Sequence, residues 1–282
     1  MIQQSLEAVN AGMSTYRPDS ELSRINDAGQ GCYPLSDSLR WVIEESLSLY
    51  HNSGGAFDVT VGPLVDLWGF GSTERDNKVP DSVLLTETQK SIGTDKLSIR
   101  DDQLCKASDS IRIDLSAIAK GFAVDQVVGI LQTEEVANYL VEIGGELRVA
   151  GTRGDGTAWR VAVERPDPAR RAVFGVLEMT EGAVATSGEY RNFFTYEGKQ
   201  YSHTLDPRTG WPVSHPQGSV TVVHESAMTA DGLATALNVM GREEGLKWAN
   251  ERQLSVLYLE SEGEDFKEYP SNAFRQRFPD IH

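Results

Sequence analysis

Across residues 139–226 the chain is written as short runs of aliphatic and β-branched residues broken by glycines: YLVEIGGELRVAG, WRVAVERP, FGVLEMTEGAVATSG, QYSHTLDPRTGWPV and GSVTVVHES. Runs of this length with turn residues between them are strands. Strands in such close succession call for sheets joined by turns. On either side the hydrophobic period is that of a helix. Leu6, Val9 and Met13 recur at helical spacing until Pro18 forbids continuation. Ser20, ahead of Glu21 and Leu22, restarts a short helix. LSDSLRWVIEESLSLYHNSGG predicts a longer one, with Ser36 or Asp37 as N-cap and Gly54-Gly55 as its stop. Its buried stripe is expected to be Leu39, Val42, Ile43, Leu47 and Tyr50. AFDVTVGPLVDLWGFG begins strand-like and becomes a loop around Gly62-Pro63, and residues 73–80 read as an exposed excursion. KLSIRDDQLCKASDSIRIDLSAIAKG predicts two or three short strands turning into the helix AKGFAVDQVVGILQ. AMTADGLATALNVMGREEGLKWANE predicts a helix followed by a second helix, and LSVLYLE a closing strand. Neither an internal repeat nor a low-complexity linker divides the chain. The expectation is one α+β domain over residues 1–282, with two lobes as its largest subdivision.

Composition bears on partners. A formal net charge of -16 argues against nucleic acid or an anionic membrane, both of which repel an acidic surface. A local basic pocket for a phosphate remains compatible with it, and the bulk acidity reads as solubility. Two cysteines, Cys32 and Cys105, are too few for a disulfide scaffold or a cysteine metal site. They suffice for one bridge, and the sequence does not show whether they meet. No apolar run is long enough to span a bilayer, and MIQQSLEAVNAGM lacks the basic start and apolar stretch of a signal peptide. A removed export signal would leave the same picture.

Several motifs are absent: a phosphate loop ending in Lys-Ser or Lys-Thr, a HExxH helix, a GxSxG elbow and a GxGxxG turn. Four stretches could carry chemistry, each with a plainer explanation. Tyr16 beside a turn could stack on a flat ring or simply pack on the core rim. Asp58, read as lying in an apolar strand after two glycines, needs a ligand donor, a metal or a backbone amide, unless it faces solvent. Asp114 and Lys120 flank a helix start, where free amides favour anions; Ser116 capping that helix with Lys120 in solvent explains the same residues. Asp231 and Thr235, four apart, share a helix face and could hold a hard cation such as Mg2+. The helix dipole accounts for Asp231 but not for Thr235. His203, in HTLDPRTGWPV, is either a reacting group or a structural histidine bonded to a turn carbonyl.

Taken in order, MSTYRPDSELSRIN, GGAFDVTVGPLVDLWGFG, IDLSAIAKGFAVDQV, EIGGELRVAG, ATSGEYRNFF, YSHTLDPRTGWPV and TADGLATALNVMG closely resemble the signature stretches of the FAD:protein FMN transferase (ApbE) family. The resemblance runs from about Met13 to the last strand. It implies a T-fold-like α+β architecture of mixed or antiparallel sheets with packed helices. It implies a transferase that splits FAD with Mg2+, releases AMP and attaches the FMN phosphate to a threonine of a target flavoprotein, such as a subunit of a membrane redox complex. An alternative within the family is hydrolysis of FAD to FMN and AMP; outside it, a flavin-binding protein without catalysis.

The same resemblance implies roles for single residues. Tyr16, Ala56, Phe57, Asp58, Asp114 and Lys120 correspond to FAD contacts, with Leu205 adding a backbone contact. The Ala117 carbonyl, Asp231 and Thr235 correspond to the metal ligands. His203 corresponds to the histidine next to the reacting phosphate, and a histidine suits removal of a threonine proton near neutral pH. Asp206, Pro207 and Arg208 would form the turn that steadies it. The chain begins within the helix that follows the family's Met-Gly-Thr strand, so that strand, with its sheet pairing and flavin contact, is expected to be missing. The family's compartment is periplasmic or membrane-anchored; a native start at Met1 would imply the cytoplasm.

Overall fold

The structure is a computed structural model that describes residues 1–71, 78–167, 170–188, 193–214, 216, 218–263 and 265–281. The excursion expected at residues 73–80 lies mostly outside these, as do residues 189–192 of ATSGEYRNFF. The chain divides into two compact units. One comprises residues 3–119 and 193–214; the other, residues 120–192 and 215–282 with the first two residues.

The first unit opens with α1 (Ile2–Met13) and α2 (Glu21–Asp27), the latter capped by Ser20, whose Oγ accepts from the Ser23 N–H. After β1 (Gly31–Pro34), α3 (Asp37–Asn52) is capped by Ser36 and ended by Gly54 and Gly55 at positive φ. Its buried stripe is Leu39, Val42, Ile43, Ser46 and Leu49 rather than one ending in Leu47 and Tyr50. A 3.6-residue period carries the core face onto Ser46, whose hydroxyl is satisfied by the Val42 carbonyl. The strand expected at residues 56–61 is a turn leading into α4 (Gly62–Leu67), with Pro63 in the first helical turn, where its missing N–H is no loss. Next come α5 (Ser82–Gln89), β2 (Leu97–Arg100) and β3 (Gln103–Lys106). β1, β3 and β2 form an antiparallel sheet in which Cys32 and Cys105 lie directly opposite and are disulfide-bonded. Residues 111–115 form no third strand of that meander.

The chain crosses into the second unit at α6 (Ala119–Thr133), followed by β4 (Tyr139–Ile143), β5 (Glu146–Ala150), β6 (Trp159–Glu164), β7 (Val173–Met179) and β8 (Glu181–Gly188). It returns to the first unit for β9 (Phe193–Tyr196), β10 (Lys199–Ser202), β11 (Leu205–Asp206) and β12 (Trp211–Pro212). The second unit is completed by β13 (Gly218–His224), α7 (Ala227–Glu251), β14 (Ser255–Glu262), β15 (Asp265–Pro270) and α8 (Asn272–Arg277). LSVLYLE therefore does not close the chain. It pairs with β15, and α8 covers the sheet behind it.

A six-stranded antiparallel sheet, in the order β15-β14-β13-β8-β5-β4, is the frame of the second unit. Along β8, Val184 joins a cluster with the β6–β7 hairpin and α8, whereas Ala183 joins one with Val124, Val128 and Ala227 of α6 and α7. That is the period of two in a strand covered on both faces. α7 is two helices in sequence, as expected: Gly241, at φ 71°, breaks the helical path.

Candidate functional site

The N-terminal turns of α6 and α7 and the start of β5 converge on three charged side chains. Asp231, on the second turn of α7, is 5% exposed. Its Oδ1 lies 3.4 Å from Lys120 Nζ, and its Oδ2 accepts from the Gly121 N–H at 3.1 Å. Lys120 Nζ lies 3.3 Å from Oε1 of Glu146, which is also buried. The other oxygen, Glu146 Oε2, is buried and has no hydrogen-bond partner among the described residues. Two buried carboxyl groups thus share one ammonium.

The sequence brings them together by small residues. A Cβ on Gly121 would lie 2.2 Å from the Ala227 carbonyl oxygen, so only glycine lets the start of α7 come this close to α6. Gly144, at φ +65°, turns β4 into β5 and leaves room for the Lys120 stem. Burial pushes Glu146 up to about 7, with repulsion from Asp231 adding to it and Lys120 opposing. Burial also raises Asp231, outweighing Lys120 and the Gly121 amide. For Lys120, burial acts downward, but the two carboxylates outweigh it and hold the amine above its usual range.

Thr235 is half-buried, one turn beyond Asp231 on α7. Among the described residues, no three His, Cys, Asp or Glu side chains gather into a metal cage. A cation here would need oxygen from hydroxyl, carbonyl, water and substrate phosphate as well, which is how Mg2+ is held. The unpartnered Glu146 Oε2 and the surplus of carboxyl over ammonium fit such a cation.

The first unit carries the other expected residues. Asp58 is buried, and its acceptors are filled from within. Oδ1 takes the Thr60 N–H at 2.7 Å and the Thr60 and Thr94 hydroxyls at 2.6 Å; Oδ2 takes the Thr94 N–H at 3.3 Å. The expectation of an aspartate in a strand is corrected: Asp58 organises a turn, because a short carboxylate can bond the backbone two residues on. Ala56 and Phe57 are each 1% exposed and belong to the core of this unit. The Asp114 N–H donates to the Val59 carbonyl at 2.7 Å. Its Oδ1 accepts from the Ser116 N–H at 2.8 Å and from the Ser116 hydroxyl, so Asp114 rather than Ser116 organises the turn ahead of α6. Ala117 follows in that turn. Tyr16 is 80% exposed, a ring that no core covers.

HTLDPRTGWPV forms the β11–β12 hairpin. The Asp206 carbonyl accepts from the Thr209 and Gly210 N–H groups, and its carboxylate from the Arg208 N–H and Nε. Trp68 Nε1 donates to the Gly210 carbonyl at 2.9 Å. The Leu205 side chain is core, beside Trp68 and Phe194. His203 is half-buried, edge-on to Phe70 at 6.3 Å between ring centroids. Gly55 approaches Arg208, whose Cγ would be 3.8 Å from an added Cβ, so this hairpin and the GGAFD turn adjoin.

Of the residues singled out in the sequence, Lys120 and Asp231 meet across 111 positions. Glu146 was missed. Its signal was an acid directly after Gly144-Gly145, at the first position of a strand.

Fold and cluster together define an α+β protein of antiparallel sheets with a buried, carboxylate-rich centre at the joined ends of two helices. The chain belongs to the ApbE family, which it matches over residues 1–258. It is 45% identical over 275 residues to the FAD:protein FMN transferase of Vibrio cholerae, covering 97% of this chain and 82% of that one. To that of Escherichia coli (strain K12) it is 34% identical over 279 residues, covering 97% and 80%. Among solved structures it is similar to the flavin transferase ApbE from Vibrio cholerae, with TM-score 0.88 at 43% identity over 98% of this chain and 88% of that one. The apo form of Pseudomonas stutzeri flavinyl transferase ApbE gives TM-score 0.91 at 40% identity, over 98% and 86%.

Proposed function

We propose that this protein is an FAD:protein FMN transferase that moves FMN from FAD onto a threonine hydroxyl of a target flavoprotein and releases AMP, with Mg2+ at the Asp231 cluster. The observation that carries the reading is the pair of buried carboxyl groups sharing one ammonium, with Glu146 Oε2 unpartnered, in a chain whose relatives bear that name. Asp231 and Thr235 would hold the ion, and the Ala117 carbonyl is the further ligand the resemblance implies. Mg2+, when bound, neutralises charge on the diphosphate. Lys120 presents an ammonium suited to a phosphate oxygen. Tyr16, the Ala56–Phe57–Asp58 turn, Asp114 and the Leu205 backbone are the proposed flavin-nucleotide contacts.

In the reaction the threonine oxygen bonds to the FMN phosphorus while the bond from that phosphorus to the bridging oxygen breaks. AMP leaves with the bridging oxygen and its electron pair. The threonine proton passes to the His203 imidazole. The test is incubation with FAD, Mg2+ and a flavin-free acceptor domain, or the same domain with its threonine replaced by valine. In-gel flavin fluorescence and AMP are measured. Covalent flavin and AMP in equal amounts, only with the threonine form, are expected. Equal labelling of both forms would overturn the reading. His203→Ala should lose about 10²–10⁴-fold in single-turnover rate at saturating FAD, the usual range for loss of a general base.

A further inference from the structure

Asp125 lies on α6, five positions beyond Lys120, with its side chain 8% exposed. Its two oxygens hold two other elements. Oδ1 accepts from Arg148 Nη1 of β5 at 2.7 Å. Oδ2 accepts from the Ser226 hydroxyl at 2.7 Å and from the Met228 N–H at 3.0 Å, at the start of α7. α6, β5 and α7 are the elements that carry Lys120, Glu146 and Asp231.

The arrangement has a register. Glu146 and Arg148 are two apart on β5 and so share a face. They meet α6 with opposite polarity: Glu146 pairs with Lys120, and Arg148 with Asp125. A displacement of the strand along the helix would bring Glu146 toward Asp125 in one direction and Arg148 toward Lys120 in the other, like charge against like in either case. At α7, Ser226 acts twice. Its oxygen accepts from the Thr229 N–H at 3.1 Å as N-cap, while its hydroxyl proton goes to Asp125. A free amide of the first helical turn, that of Met228, is therefore satisfied by an acid from another helix. The attachment stands one turn ahead of Asp231.

We infer that Asp125 is a positioning residue for the transfer centre: through Arg148 and the N-terminus of α7 it sets where Asp231 stands against Lys120 and Glu146. The inference rests on the reading of that cluster as the reacting centre. Full-length wild type, Asp125→Asn, Asp231→Ala and Arg242→Gln are compared for kcat, KM for FAD and Tm, with FAD, Mg2+ and a flavin-free threonine-bearing acceptor domain. Arg242 pairs with Glu260 at 2.7 Å near the α7 break and lies over the Tyr269 ring, and its variant reports the loss of charged contacts away from the cluster. Asp125→Asn should lose about 10²-fold in kcat, the scale of a small misplacement of reacting groups, with KM for FAD within about twofold of wild type. Arg242→Gln should lower Tm at least as much and keep kcat. Wild-type kcat in Asp125→Asn beside an inactive Asp231→Ala overturns the inference and leaves the reading of the cluster standing. Full activity of Asp231→Ala overturns both. If Asp125→Asn does not fold, Ser226→Ala, which removes one of the two donors to Oδ2, carries the same expected split.

Discussion

Asp58 and Asp231 are both buried aspartates near the start of a helical segment, and the resemblance assigns both to the site. Their surroundings differ. Asp58 is surrounded by donors from its own unit: two hydroxyls and two amides, from Thr60 and Thr94. Among the described residues, Asp231 receives the Gly121 amide and a share of one ammonium, and its neighbour Glu146 has an oxygen with no donor. A carboxylate supplied with donors is a structural hub. A pair of carboxyl groups short of donors in a dry place is a receptor for positive charge, because burying charge without compensation is costly. The lesson is that burial of an acid says little until its donors are counted.

The largest effect should come from Asp231→Ala. Transfer should fall on the order of 10³-fold, since charge stabilisation at a diphosphate is worth several kcal/mol. The rise in Tm on adding Mg2+, a binding linkage independent of turnover, should vanish. A variant that Mg2+ still stabilises as it does wild type would remove Asp231 from the metal site and collapse the contrast with Asp58.

Asp58→Ala should act on stability. Four buried donors lose their acceptor, and at about 1–3 kcal/mol for an orphaned group, with partial relaxation, the fold should weaken by about 3–4 kcal/mol in urea unfolding. A loss below about 1 kcal/mol, the size of a single ordinary hydrogen bond, would mean that the Thr60–Thr94 hub is not what Asp58 is for.

Glu146→Gln sharpens the other side. Removing one of two carboxylates that share Lys120 should stabilise the metal-free protein by about 1 kcal/mol, as replacement of poorly compensated buried charge often does. The same variant should bind Mg2+ more weakly by calorimetry. Loss of stability without metal would show that Glu146 is already well satisfied.

The smallest effect concerns Tyr50, whose hydroxyl donates to Asp95 at 3.1 Å. Burial, then Asp95, then Asp58 push its phenol up to about 12. Between pH ~10, where the unfolded phenol ionises, and the folded value, the native protein keeps a proton that the unfolded chain releases. The contribution is therefore complete below pH ~10 and lost as pH rises through that window. The difference in urea midpoint between wild type and Tyr50→Phe should shrink across it, and a constant difference would deny that the fold holds this phenol above its ordinary value.

Much of this was legible in the order of residues. The helix restart at Ser20 and a cap at Ser36 or Asp37 were recognisable because an N-cap bonds its own next turn; the structure makes the caps Ser20 and Ser36. The break at Gly241 and the strands from β4 to β8 followed from glycine and from hydrophobic period. That Asp231 and Thr235 lie one turn apart on the same helix followed from a spacing of four. These are interactions within a few residues, or patterns that repeat along one element, and local backbone sterics are enough to impose them.

The tertiary structure alone decided the rest. The partners of Asp58 include Thr94, 36 positions away; Cys32 meets Cys105 at a separation of 73; Lys120 meets Asp231 at 111. Asp125 takes its partners Arg148 and Ser226 from 23 and 101 positions away. No period or cap encodes such meetings, since they depend on which faces two elements bury against each other. The strand expected through Asp58 gave way for the same reason: Thr60 and Thr94 offered that carboxylate a buried set of donors that a local reading could not weigh. The sequence determined the elements and the chemistry they carry, and packing determined which of those groups are satisfied and which are left short of donors.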